Sequence, residues 1–276
     1  MLYQALQYVQ FLFRSGNAHG LHSPFVFALY NDVILHDGFY APYTSIEARR
    51  SALLKRMDTI TVRDFGAGSR TGAGQQRRVG AIARTAAKPR KFGQLLFRLV
   101  NRFQPRVVLE LGTSLGLTTA YLATADSRAQ VITFEGCPQT AAIAQQTFEE
   151  LGLQNVTLIE GNLDATLAPT LRNLVGPVDF AFFDGNHRYE PTVRYFEQLL
   201  PYRTDHSVFV LDDIHWSADM TRAWQTIKAH PAVILTIDLF FVGLVFFRKN
   251  QPKQHFRLRF DNVFDKIMNR TRSLSA

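Results

Sequence analysis

Two short acidic clusters hold the residue types best suited to chemistry. FFDGNHRYE places Asp184 three residues before His187, and VLDDIHW places Asp212 and Asp213 ahead of His215 and Trp216. Each cluster follows an apolar, β-rich run, so each is expected at the carboxyl end of a buried strand. Three carboxylates gathered at one rim repel unless they are protonated or paired with cations. A hard divalent ion with oxygen ligands would neutralise them, and Mg2+ usually keeps waters that substrate oxygens can replace. Asp184, Asp212 and Asp213 are therefore candidate metal ligands. His187 is a candidate general base, because imidazole changes charge near neutral pH, and His215 is its rival. Each also has a plainer reading. Asp184 could cap a helix, His187 could bond backbone only, and Asp213 could pair with a basic residue from 55–106.

A second constellation lies upstream. In VLELGTSLGLTTAYLA an apolar run leads through Glu110 to Gly112 and Gly116 and then into a helical pattern. Glycines after a strand let backbone approach a ligand, and the following helix start offers unpaired N–H groups. The segment lacks the Lys–Ser/Thr of a P-loop and the spacing of a G-x-G-x-x-G fingerprint. Glu135 ends the next β-rich run, VITFE, where a carboxylate can accept both ribose hydroxyls of an adenosine-containing cofactor. After the third run, Asn162 and Asp164 stand where an adenine edge could be read. GTSLG also satisfies G-x-S-x-G, the nucleophile elbow of α/β-hydrolases, with Ser114 as nucleophile and Asp184 or Asp212 and His187 or His215 as partners. That fold needs several strands before the elbow, and residues 1–105 supply too few.

The elements that must position these residues show in the hydropathy pattern. VVLEL, VITF, VTLI, DFAFFD and SVFVLD alternate with four helical stretches, the signature of a doubly wound parallel sheet. AVILTIDLFF and VGLVFFRK follow with no room for a helix between them, so an antiparallel hairpin at the sheet edge is expected. FGQLLFRLVNRF (92–103) has the i, i+3, i+4 spacing of an amphipathic helix. Residues 1–54 read as helices with a loop, and 58–93 as irregular, Gly- and Arg-rich chain. The expected organisation is a helical cap with a Gly/Arg-rich loop over 1–87, a catalytic or binding domain over 88–250, and a basic tail over 251–276.

Composition narrows the function classes. The chain has 276 residues, 46% hydrophobic and 20% charged, with a net charge of +8. A single cysteine, Cys137, excludes a disulfide framework and a cysteine-based zinc cluster. No apolar stretch reaches the ~18 residues of a membrane span, and the start lacks the basic lead-in of a signal peptide. A cytoplasmic protein is expected. Charge is uneven: residues 55–106 carry thirteen basic and two acidic side chains, whereas 107–247 carry seven basic and sixteen acidic. Such asymmetry suits an anionic partner such as RNA, or a solvated surface that offsets the acidic centre.

In their order and spacing, these motifs resemble the class I S-adenosylmethionine-dependent methyltransferases over roughly 88–248. FGQLL, LELGTSLGLTT and EGCP are similar to the catechol and caffeoyl-CoA O-methyltransferase branch and related bacterial members. The resemblance implies a Rossmann-like α/β fold: a doubly wound seven-stranded sheet with an antiparallel terminal hairpin, here with an N-terminal helical cap. It implies S-adenosyl-L-methionine as cofactor, with Glu110, Gly112, Thr113, Ser114 and Gly116 shaping the methionine pocket and Thr118 bonding the methionine carboxylate. Glu135 would hold the ribose, Asn162 and Leu163 would border adenine, and Gln94 would close the site. Catechol-type members hold a divalent metal through an Asp after the fourth strand and an Asp–Asn pair after the fifth, which implies Mg2+ or another divalent cation here. Asp184 and Asp212 match, Asp213 stands at the usual Asn, and His187 stands where a lysine is usual. The D-G-x-H segment at 184–187 is similar to sugar and macrolide O-methyltransferases. The implied reaction is O-methylation of a hydroxylated small molecule. The alternatives are an RNA-directed methyltransferase, the Ser114 hydrolase, and a cofactor-binding protein without turnover. A homodimer is compatible with the sequence, and His19, His22 and Arg70 could line a lid or belong to a structural cap.

Overall fold

A computed structural model describes residues 2–17, 21–63 and 76–260. His19, Arg70 and the tail residues 261–276 lie outside the described residues.

The N-terminal region supplies α1 (Leu2–Arg14), α2 (Pro24–Leu29), a π-helical turn (Tyr30–Ile34) and α3 (Pro42–Lys55). Ser23 caps α2 by accepting from the Val26 N–H, with Pro24 at the first helical position, where its missing N–H costs nothing. The segment read as irregular is partly ordered: β1 (Thr59–Thr61) pairs antiparallel with β2 (Gln76–Arg78), and α4 (Val79–Thr85) follows. The expected amphipathic helix is α5 (Arg90–Phe103), ended by Gln104 in the left-handed region, with Pro105 next.

The alternating region gives β3 (Val107–Leu111), α6 (Leu117–Ala125), β4 (Gln130–Glu135), α7 (Pro138–Glu150), β5 (Val156–Glu160), α8 (Leu163–Arg172), β6 (Phe180–Phe183), α9 (Tyr189–Leu199), β7 (Val208–Asp212) and α10 (Ala218–Ala229). The chain closes with β8 (Leu235–Asp238), β9 (Val242–Phe246) and β10 (Gln254–Arg257). The sheet order is β10-β8-β9-β7-β6-β3-β4-β5. Strands β3 to β7 are parallel, and β9 runs antiparallel between β7 and β8.

Two expectations need correction here. The sheet has eight strands rather than seven, because Gln254–Arg257 of the supposed tail pairs parallel with β8. The terminal hairpin is consequently not the edge. β10 covers the N–H and C=O groups that β8 would otherwise expose.

Alternation along the strands feeds two cores. Val108, Val131, Phe180, Phe182, Val208 and Val210 face α5 and the N-terminal helices. Val107, Leu109, Ile132, Phe183, Phe209 and Leu211 face the opposite layer, including Leu167 of α8, Phe196 of α9 and Trp224 of α10. A third cluster joins Tyr43 and Ile46 of α3, Val79 and Ile82 of α4, and Tyr121 of α6. The N-terminal elements therefore share cores with α5 and α6. The basic excess of 55–106 is also not wholly solvated. Arg98 is buried and donates to the Val33 and Ile34 carbonyls at 2.7 and 3.3 Å, closing the π-helical turn onto α5.

Gly93 makes the α5–α6 contact close. A Cβ there would lie 2.5 Å from the Tyr121 ring, which is fully buried and donates its hydroxyl to Glu47 at 2.6 Å. Gly93→Ala should therefore destabilise the protein by about 1–3 kcal/mol through overpacking, despite the better helix propensity of Ala. A urea unfolding titration of both proteins checks this; equal or higher stability in the variant would refute the packing argument.

Candidate active site

The strand order reverses at β3: the chain runs outward through β4 and β5, then returns to the other side of β3 as β6. Such switch points open a crevice at the carboxyl ends of the strands. Gly112 and Asp184 meet there. The Asp184 N–H donates to the Leu111 carbonyl at 2.9 Å. A Cβ on Gly112, whose φ is +109°, would lie 2.7 Å from the Asp184 carbonyl oxygen. Protein backbone alone thus requires glycine at position 112. Gly116, at φ +80°, lets α6 start against α7, where a Cβ would lie 2.7 Å from the Phe148 ring.

Beneath this loop lies a buried polar network. Glu110 Oε2 accepts from the hydroxyls of Thr119 and Thr133 at 2.5 and 2.6 Å, and the Thr113 hydroxyl bonds that of Thr133 at 2.6 Å. Thr113 was expected to line the methionine pocket; its hydroxyl is committed to this network. Glu110 Oε1 is buried and has no hydrogen-bond partner among the described residues. A buried acceptor without a partner is costly, and a cationic group on a ligand would satisfy it. Burial outweighs the two threonine bonds and pushes the Glu110 carboxyl up to about 8.

Glu135 ends β4. Its two oxygens accept from the Ser114 and Cys137 backbone N–H groups, both at 2.9 Å. Ser114 holds left-handed backbone, φ +50°, to make this bond. A carboxylate accepts at about four sites, so ribose hydroxyls can share one held in this way. Thr118 sits buried in the first turn of α6. Asn162 caps α8, accepting from the Asp164 N–H at 3.0 Å. Leu163 reaches the turn after β6, where its Cδ1 would lie 3.1 Å from a Cβ on Gly185. Gln94 is half-buried near the start of α5, and its carbonyl accepts from the Tyr43 hydroxyl at 3.4 Å. His22 is exposed just before α2.

At the ends of β6 and β7 the ligand atoms of Asp184, His187 and Asp212 all lie within 4.8 Å of one another. Asp213 is not in this group. It follows in left-handed backbone, φ +53°, half-buried. Sequence reasoning missed the fourth member of the cluster. Lys88, in the linker between α4 and α5, places its Nζ 3.0 Å from Asp184 Oδ1 and in hydrogen-bond contact with Asp212 Oδ2. The one available signal was the suggestion that a basic residue of 55–106 pairs with this rim, although it was attached to Asp213. Burial works against the Lys88 charge, yet Asp184, Asp212 and Asp213 together hold its pKa above the ordinary lysine value. Burial also raises Asp184, but Lys88 and His187 overcome it and keep that carboxyl below its usual range. For Asp212 burial dominates what Lys88 offsets, and the carboxyl is raised.

The two histidines separate cleanly. His187 Nε2 lies 3.4 Å from Asp184 Oδ1, and its ring leans on Trp216 with centroids 6.1 Å apart. His215 is buried, bonded to Asp238 Oδ2 at 2.9 Å and stacked on Phe240. Asp238 also accepts from the Trp224 indole and the Phe240 N–H. His215 therefore belongs to the packing of α10 against the terminal strands.

Known proteins resemble this chain in sequence and in fold. Residues 109–214 match a methyltransferase-domain family. The chain is 32% identical over 126 residues to a catechol O-methyltransferase of Niastella koreensis, covering 45% of this chain and 55% of that one. It is 32% identical over 124 residues to the catechol O-methyltransferase of Mycobacterium tuberculosis, covering 44% and 54%. It thus spans little more than half the length of these relatives. Its fold is similar to a Bacillus cereus O-methyltransferase in complex with S-adenosylhomocysteine, at TM-score 0.52 and 22% identity, covering 80% of this chain and 96% of that one. It is also similar to an S-adenosylhomocysteine-bound Podospora anserina methyltransferase, at TM-score 0.57 and 15% identity, covering 83% and 98%. Residues 109–214 thus resemble a methyltransferase domain in sequence, and the sheet that carries them is Rossmann-like in fold. Among the described residues no helix is long and apolar enough to cross a membrane.

The buried Glu110 gives a signature in stability. A carboxyl at 4.5 when unfolded and about 8 when folded makes the native state bind more protons, so its stabilising contribution is complete below pH 4.5 and lost as pH rises through 8. Glu110→Gln carries no titrating proton. Relative to this variant, the wild type should lose roughly 2–4 kcal/mol between pH 4.5 and 8. Denaturant unfolding of both proteins across that range checks it; parallel curves would place the Glu110 carboxyl near its ordinary value.

Proposed function

We propose that this protein transfers a methyl group from S-adenosyl-L-methionine to a hydroxyl oxygen of a small-molecule acceptor. The observation that carries the reading is the meeting of Gly112 with the Asp184 backbone at the switch point. It sets the cofactor half of the site, Glu110 to Thr118 with Glu135, against the acid–base half, Asp184 and His187. When bound, the cofactor supplies an electrophilic methyl group on its sulfonium. The chain's own residues do the rest. Glu110 Oε1 faces the methionine ammonium, whose positive charge would draw the proton off this raised carboxyl and make it an acceptor, and Glu135 is oriented by two backbone N–H groups to take ribose hydroxyls. Asn162 and Leu163 flank the adenine end, Thr118 meets the methionine carboxylate, and Gln94 closes the site from α5.

His187 accepts the acceptor's hydroxyl proton as the oxygen–methyl bond forms. Asp184 orients the imidazole and stabilises the imidazolium that results. The hydrolase reading loses support because His215, one of its two candidate bases, is spent on Asp238. Mg2+ assistance would draw on Asp184, His187 and Asp212, whose ligand atoms converge. The donor set does not fit that ion as it stands, because the Lys88 ammonium lies between the two carboxylates. The acceptor class follows the catechol-type relatives. We place the protein in the cytoplasm, and RNA serves as the control acceptor.

Two measurements test the reading. Calorimetry with S-adenosylhomocysteine should show binding that Glu135→Ala weakens by ~1.5–3 kcal/mol, the range for hydrogen bonds to a charged group. Tight NAD binding with no response to S-adenosylhomocysteine would end the methyltransferase reading. Cofactor turnover across hydroxylated small molecules and RNA should favour the former. His187→Ala should lower turnover about a hundredfold, with S-adenosylhomocysteine affinity nearly unchanged. Wild-type turnover and pH profile in that variant would place the base elsewhere.

A further inference from the structure

We propose that the Lys88 ammonium is the resident cation of the acidic rim, filling the place between Asp184 and Asp212 that a divalent metal would take and donating to the acceptor oxygen. The placement is direct. Lys88 Nζ lies 3.0 Å from Asp184 Oδ1 and contacts Asp212 Oδ2, and its side chain is only 15% exposed. These are the carboxylates of adjacent strands β6 and β7, so one ammonium bridges two neighbouring strand ends. Mg2+ demands oxygens at about 2.0–2.1 Å in near-octahedral array. To bind here it would have to expel a half-buried ammonium from between its two carboxylates, and breaking such a pair is unfavourable. Asp213, the remaining acid of the cluster, does not join the converging ligand atoms.

The linker holds the ammonium in place. Pro89 follows Lys88 and caps α5, and a proline disfavours helical backbone in the residue before it. Lys88 thus leaves an extended connection rather than a helix surface, and its stem reaches across to the strand ends. An ammonium has three N–H donors. Two are directed at the carboxylates, and the third can meet an oxygen held beside His187, which shares Asp184 with Lys88. A positive charge there favours the developing alkoxide or phenoxide while His187 removes the proton. The acceptor contact rests on the methyltransferase reading; the occupation of the rim by Lys88 does not.

The test uses Mn2+ as the probe, followed by electron paramagnetic resonance on the full chain. The wild type should leave added Mn2+ free in solution. Lys88→Gln, which keeps the stem and removes the charge, should bind one Mn2+ at least about tenfold more tightly, and Lys88→Gln combined with Asp184→Asn should lose that gain. If Lys88→Gln does not fold, Lys88→Gln with Asp212→Asn removes one charge of each sign, and Mn2+ should stay free there too. The wild type then decides alone: its turnover with catechol should be unchanged in excess EDTA and by added Mg2+. Stoichiometric Mn2+ binding by the wild type, turnover lost to EDTA, or no gain of Mn2+ binding in folded Lys88→Gln each overturns the proposal. Calorimetry with S-adenosylhomocysteine on the same samples reports separately on the methyltransferase reading, so the two can fail independently.

Discussion

Two carboxylates side by side at the ends of neighbouring strands, Asp212 buried and Asp184 half-buried, need a compensating charge, and the Lys88 ammonium provides it. Asp184 and Asp212 project from β6 and β7, which are hydrogen-bonded neighbours. Lys88 comes from the linker that joins α4 to α5. Its ion pairs therefore tie the N-terminal elements to the rim of the sheet, in addition to the apolar contacts of Val79, Ile82 and Tyr43 with α6. Replacing a buried ion pair with apolar groups is often neutral or stabilising, whereas removing one partner is costly. The value of this triad to the protein thus lies less in net stability than in where it fixes a positive charge.

The same rim is shaped from beneath by hydrogen bonds that leave little freedom. Thr113, Thr133, Glu110 and Thr119 form one buried chain, and Glu135 reaches over it to the Ser114 N–H. The loop from Gly112 to Gly116 holds three residues at positive φ, including Ser114. Such backbone is sustained only when its surroundings over-determine it. Here the surroundings are the Glu135 carboxylate on one side and the Asp184 backbone on the other. A loop held at both ends presents its N–H groups in fixed directions, which is what recognition of a cofactor by backbone requires.

Much of this was legible in the sequence. The apolar runs ending in Glu110, Glu135, Asp184 and Asp212 marked parallel strands buried on both faces, and the structure places all of those residues at or beside strand ends. The amphipathic spacing of 92–103 located α5 to within two residues at its start. What escaped was short or distant. β1, β2 and β10 have three or four residues each and a polar composition, so their pairing depends on tertiary neighbours rather than alternation. Lys88 escaped because its partner Asp212 lies 124 residues away. In a basic stretch such as AAKPRK nothing local marks one lysine as half-buried. His215 and His187 looked alike for a related reason. Both follow an Asp at a strand end, and only Asp238, from the far hairpin, makes one of them structural.

The chemistry of the cation bears on what the site accepts. A divalent ion keeps several coordination positions open, and two vicinal oxygens of one acceptor can fill them together. An ammonium that already spends two donors on Asp184 and Asp212 has one left, and it forms a single directional bond. A rim built on Lys88 therefore grips one oxygen, and the remaining orientation must come from the walls. On the His187 side one aromatic ring is at hand, Trp216, which leans on the imidazole. A flat hydroxylated acceptor stacked beside Trp216 would need no second hydroxyl to be held. In the proposed mechanism the base and the cation both act through Asp184, one from the turn after β6 and the other from the linker before α5. A change at Asp184 therefore removes the orienting partner of His187 and a counter-charge of Lys88 together, which makes it the residue on which the two halves of the proton-handling machinery are least separable.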